Sequence, residues 1–285
     1  MKWEELRRRL LPWGVLALVL MAVRGVASHG IHDPLMQDKV PLLYLTLIFL
    51  GGLIIIGGVK GIKSIFTLIF TIWVILKVLL PLILKGYNPV WVTMALCALV
   101  IAVTLSVIGG VNRKTLAATI GTFGGVTIAG LSALIIGHMA QLTGLGNEES
   151  IHLILYSRHI DFRGLLLAGI IIGALGAVMD VGISIASAMH EIRVADPGIG
   201  EKEWIAAGMK VGRDIMGTMS NTLILAYAGS SLNLLLLLTT YDLPLNEIIG
   251  RDTLAAEVLR ALAGSVGLLF TIPATAIAAG KLEKG

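Results

Sequence analysis

Cysteine is all but missing from this 285-residue chain, and its single instance, Cys97, lies within an apolar run. That excludes a disulfide framework and a cysteine-based metal site. Charge is scarce too: Asp, Glu, Lys and Arg make up 14% of residues, against about 25% in soluble domains. Aromatic residues are 6% while glycines number 34, a balance that favours closely packed helices over aromatic ligand cages. There is no low-complexity tract, and no linker is long enough to hold a separate soluble domain. The chain therefore reads as one integral membrane domain over residues 1–285.

What is abundant is apolar sequence, 56% of the chain. A hydrocarbon core about 30 Å thick needs ~20 apolar residues per helix. Eight stretches qualify, at about 11–28, 41–59, 64–84, 90–109, 115–142, 164–188, 214–240 and 256–280. The expected fold is an all-α, polytopic transmembrane bundle, with spans two to five in 41–142 and a three-helix core in 164–280. The basic start and WGVLALVLMAV run of the first span also fit a cleaved signal peptide. A retained helix with Arg24 snorkelling to the outer interface is preferred.

Lysine and arginine set the orientation. With the N-terminus inside, Lys2, Arg7, Arg8, Arg9, Lys60, Lys63, Arg113, Lys114, Arg193, Lys202, Lys210, Arg213, Lys281 and Lys284 fall on the cytoplasmic side. Lys39, Lys85, Arg158, Arg163, Arg251 and Arg260 fall outside. This is the bias of the positive-inside rule, and it places both termini in the cytoplasm. The same distribution accounts for the net charge of +4 without nucleic acid as a partner. Residues 193–213 form the longest inner connection. There RVADPGIG reads as a turn, and EKEWIAAGMKVGRD as an interfacial amphipathic helix carrying Trp204, Ile205, Met209 and Val211.

Asp180 interrupts the apolar run of the sixth span. A carboxylate near the bilayer centre costs about 2.5–3.5 kcal/mol on insertion scales, and such residues usually mark a pathway, a proton relay or a buried pair. At helical spacing it belongs to a stripe of Gly169, Gly173, Gly176, Asp180, Ser184, Ser187 and Glu191. Gly169 and Gly173 form a GxxxG pair for close helix approach. The opposite Leu, Ile and Val positions suit lipid. Span seven offers Asp214, Gly217, Thr218, Asn221 and Thr222 near one face, with Arg213 at its start. Asn221 and Thr222 are depth-matched to Asp180, ~12–15 Å from the inner ends of their helices. His190, Glu191, Arg213 and Asp214 are further polar candidates at the interface; there charges are ordinary. The fifth span adds a small, hydroxyl-rich face that includes Thr119, Thr122, Gly125, Thr127, Gly130 and Ser132. Lys77, inside span three, either pairs with an acid or snorkels.

Enzyme signatures are missing. His190-Glu191 has no second His at metalloprotease spacing, and there is no GxSxG elbow and no Walker loop. Asp180 follows Met179, not the Gly-x-Gly of intramembrane aspartyl proteases. No Cys/His cluster has metal-ligand spacing, so neither metal nor cofactor is expected.

The stretches GAVMDVGISIASAMHEI and GMKVGRDIMGTMSNTLILAYAGSSLNLLLLL, with GYNPVWVTM and GGVNRKTLAATIGT before them, resemble the YibE/F-like family of bacterial multi-pass membrane proteins. The resemblance covers roughly residues 40–280 and implies a permease of unassigned substrate in the bacterial inner membrane. This chain has only about a dozen residues after its first span where many members carry an extracytoplasmic domain. It resembles the shorter type that works beside a larger paralogue. More distantly, the last three helices resemble those of SecD and SecF and the resistance-nodulation-division membrane core, which implies that Asp180 is the protonatable residue.

Two functions compete. One is a permease or transporter subunit for a small molecule or ion, proton-coupled through Asp180. The alternative is a non-transporting accessory subunit that serves export, insertion or a larger paralogue. The expected partners are the lipid bilayer and, as candidate protein partners, a larger paralogue or a homo-oligomer.

Overall fold

The computed structural model describes residues 40–146, 148–156, 159–240 and 250–282, all in helices and the turns between them. The helices are α1 (Val40–Gly57), α2 (Val59–Leu84), α3 (Pro89–Gly109), α4 (Arg113–Met139), α5 (Glu148–Tyr156), α6 (Phe162–Ala195), α7 (Glu201–Ser230), α8 (Leu232–Thr240) and α9 (Asp252–Leu282). Among the described residues six are long and apolar enough to cross a membrane. The pair α7 and α8, bent by 59°, counts as a seventh if taken as one broken span. The first predicted span, at 11–28, lies outside the described residues.

The chain divides into two compact units at Ile72, within α2. In the first, α1 is apolar on every side, with Leu42, Leu45, Ile48 and Phe49 exposed, the pattern of a lipid-facing helix. It turns into α2 at Gly58, and Gly61 brings α2 against the Leu53 carbonyl of α1.

In the second unit, α2 closes with a π turn over Ile75–Leu79. Its cause is Pro81, which has no N–H to give the carbonyl four residues back. The ladder shifts so that the Leu80 N–H reaches the Ile75 carbonyl. Asn88 caps α3, its side chain accepting from the Val90 and Trp91 amides. Gly110, at φ 78°, ends α3 in a conformation that L side chains rarely adopt, and Asn112 at once caps α4 through the Thr115 amide.

Three long helices make the core: α4 runs antiparallel to both α6 and α9. Large side chains of one helix seat on glycines of another. Ile171 lies on Gly130, Leu167 and Leu259 on Gly137, and Val178 on Gly125. The tightest point is Gly125, where an added Cβ would overlap the Thr271 hydroxyl and stand 2.7 Å from the Gly267 carbonyl oxygen. Without a hydrophobic driving force between helices in lipid, this backbone proximity is what van der Waals association requires. The ends are tied as well. Thr143 Oγ1 donates to Asp252 Oδ2 (2.6 Å) at one end, and Arg113 Nη1 donates to the Leu282 carbonyl (3.1 Å) at the other.

The span boundaries differ from expectation at α7. Residues 201–213 are not a separate interfacial helix but the first turns of a helix continuous to Ser230. Nothing stronger than glycine interrupts the stretch, and both glycines are occupied: Gly208 faces Met189 and Gly212 faces Ile272. Trp204 is accordingly buried, its Nε1 donating to the Met189 carbonyl at 2.8 Å.

Gly125→Ala is expected to destabilise the bundle by about 1–3 kcal/mol through overpacking. Thr93→Val should stay within about 1 kcal/mol of wild type, because the buried Thr93 hydroxyl has no hydrogen-bond partner to lose. Thermal unfolding of purified protein in detergent compares the two.

Candidate functional site

Helix α6 carries the candidate site. Asp161 caps its start, accepting from the Gly164 amide at 2.9 Å, and the helix then runs 34 residues. Its buried face is Ile170, Ile171, Ala174, Val178, Val181, Ile185 and Met189. The Gly169–Glu191 stripe lies on the other side, with Gly169, Gly173, Gly176, Asp180, Ser184 and Glu191 exposed and Ser187 partly so. The expected orientation of α6 is thus reversed: its Ile and Val residues fill the bundle, and its small and polar stripe is the open face. The reason is complementarity, since α4 presents glycines, alanines and threonines to α6, whose bulky side chains fill the space they leave. The hydroxyl-rich face of α4 serves this packing. Thr122 presses on Gly182, while Thr119 and Thr127 donate to carbonyls of their own helix.

Asp180 sits between two crossings of α7 over α6. Nine positions toward the basic end, Met189 meets Trp204 and Gly208; seven toward the other end, Gly173 meets the Tyr227 hydroxyl. At ~1.5 Å per residue these brackets lie ~13 and ~10 Å away along the helix. Between them, Gly176 of α6 and Gly217 of α7 both face open space. Asp180 has no hydrogen bond or ion pair with a described residue.

The proposed partners on α7 share the openness. Arg213, Asp214, Gly217, Asn221 and Thr222 are exposed. Thr222 Oγ1 donates to the Thr218 carbonyl (2.8 Å) and Thr218 Oγ1 to the Ile215 carbonyl (2.9 Å), so both hydroxyls are committed to their own helix. No hydrogen bond links Asn221 or Thr222 to Asp180. His190 lies elsewhere: it lines a cavity with Asn112, Arg113, Lys114 and Arg193. Among the described residues no group of three His, Cys, Asp or Glu side chains is placed to hold a metal ion.

One polar cluster escaped sequence reasoning. Arg260, assigned to an outer loop, is inside α9; its Nη1 donates to Glu257 Oε1 at 2.9 Å, with side chains 25% and 18% exposed. Its guanidinium stands 5.9 Å from the Tyr227 ring centroid. Glu257 Oε2 and Arg260 Nε are buried without hydrogen-bond partners, and a cavity of about 150 Å³ touches Tyr227, Ser231 and Glu257. The legible signal was the i, i+3 spacing of opposite charges at the start of the last span. Through Tyr227 this cluster reaches Gly173, and so the upper end of the Asp180 stripe.

A family model described as YibE/F-like protein matches residues 45–285. The comparisons with curated proteins and with solved structures give no match, so the likeness to SecD and SecF has none behind it.

In a cysteine-free Cys97→Ser background, Ser184→Cys should react with N-ethylmaleimide in detergent, whereas Val181→Cys, on the buried face, should not. Equal labelling of the two would mean that the stripe does not form the open face.

Proposed function

The chain belongs to the YibE/F-like family, and from that premise we propose that it is a permease subunit of the bacterial inner membrane, coupled to protons through Asp180. One observation carries the reading: a mid-span carboxylate, with no counter-charge among the described residues, lies on a small-residue face that leads to a second ionisable cluster near the other membrane surface. Ionised, Asp180 requires water or a polar partner; protonated, it is stable against lipid or a dry helix. Each exchange changes which surroundings the open face of α6 tolerates. Glycines along that face leave room for a neighbour to approach and withdraw. The Glu257–Arg260–Tyr227 cluster supplies polar groups toward the outer surface, and Ser184, Ser187 and Glu191 supply them toward the inner one. The transported species, a small molecule or ion, is not specified by these groups.

The same openness supports a second reading. An acid facing out of the isolated bundle is the arrangement expected where another subunit completes the site, whether a larger paralogue or a second copy. On that reading the chain is an accessory subunit and Asp180 an assembly contact.

Proton flux into reconstituted vesicles under an imposed gradient separates the two. Asp180→Asn should lower flux at least about tenfold, the scale of removing a proton-transfer group, and Asp180→Glu should retain part of it. Tyr227→Phe and Glu257→Gln should slow it less. Substantial flux that is equal in wild type and Asp180→Asn would overturn the proton-coupled reading. A stoichiometric partner that is lost in Asp180→Asn would favour the accessory one.

A further inference from the structure

We propose that the cavity between the start of α4 and the end of α6 is a binding site for a phosphate group. It has a volume of about 390 Å³ and is lined by Asn112, Arg113, Lys114, His190 and Arg193. Two guanidinium groups, a lysine and an imidazole thus converge from two helices, and among the described residues no carboxylate lines the space. Among the described residues no ion pair engages Arg113, Lys114 or Arg193. Like charges brought together without a counter-ion repel one another, and a bound anion relieves that repulsion.

The donors are held in place. Arg193 Nη1 donates to the Ile199 carbonyl at 2.7 Å, and its guanidinium lies 5.3 Å from the centroid of the buried Trp204 ring. Arg113 Nη1 donates to the Leu282 carbonyl at 3.1 Å. A guanidinium has five N–H donors, so each retains several for a ligand. Asn112 is fixed on both sides, accepting from the Thr115 amide (2.8 Å) and donating to the Gly109 carbonyl (2.9 Å). That cap directs the positive end of the 27-residue helix α4 at the same cavity. Planar guanidinium forks match phosphate oxygens, and the lysine adds a point charge.

The position is that of a lipid headgroup. It lies at the end of the bundle that the positive-inside rule assigns to the cytoplasm. Leu116, Ile120 and Phe123 are exposed along α4 beyond the cavity, as an acyl chain running down the helix would need. Free phosphate or a soluble phosphate ester presents the same chemistry from the aqueous side.

The test uses the full-length protein in neutral detergent. Native mass spectrometry measures binding of phosphatidic acid and phosphatidylglycerol, and the shift in melting temperature with inorganic phosphate gives the soluble arm. Saturable binding in either arm, weakened at least about tenfold in Arg113→Gln/Lys114→Gln, is the expected result, the scale of losing two charge-assisted hydrogen bonds. Loss in the lipid arm assigns a headgroup, and loss in the phosphate arm a soluble ligand. Should the double variant fail to fold, Lys114→Gln alone decides, with a loss of about threefold or more. Lys210→Gln, outside the cavity, should bind as wild type does. No saturable binding in either arm, equal binding in the folded variants, or an equal loss in Lys210→Gln would overturn the proposal.

Discussion

The contact of α4 with α6 and α9 at Gly125 decides most of what else this protein can be. There two helix backbones come so close that even a methyl group on one would strike the other. Because α4 offers mainly glycine, alanine and threonine to its neighbours, the branched side chains of α6 turn inward to fill the remaining space. Its own glycines and its carboxylate are then left on the far side. The placement of Asp180 thus follows from a packing requirement some distance away, on another helix.

This explains how far the sequence could be read. Span positions were legible because a run long enough to cross lipid needs no tertiary information: 90–109 and 115–142 recur as helices within about three residues of their ends, and 164–188 lies inside α6, which continues to Ala195. The two-sided character of α6 was equally legible from the spacing of Gly169, Gly173, Gly176 and Asp180. Which side meets the bundle was not, since in a membrane both lipid and protein interior accept isoleucine. Only the matching surface on α4 settles it, and that surface is written elsewhere in the chain. The continuity of α7 was hidden for a similar reason. Trp204 among charges resembles an interfacial residue until Met189 supplies a carbonyl for its indole and Arg193 a cation above its ring.

Charged residues divide by the same logic. Arg260 counts as a loop cation by sequence position, yet it joins Glu257 within α9, where a neighbouring helix brings Tyr227 alongside. Arg113 and Arg193 count as topology markers by sequence position, and both line one cavity. A residue's statistical role in setting orientation and its local role are independent, and only coordinates reveal the second.

The hydrogen bonds at the two ends of the α4–α9 pair have a mechanical consequence. Hydrogen bonds at Thr143–Asp252 and Arg113–Leu282 fix the register of α4 against α9 from both ends. Helix α7 is indented into the bundle at Trp204, Gly212 and Leu223 but ends at the kink before Leu232. The 59° bend between α7 and α8 falls at Ser231, beyond those contacts and outside the pinned pair.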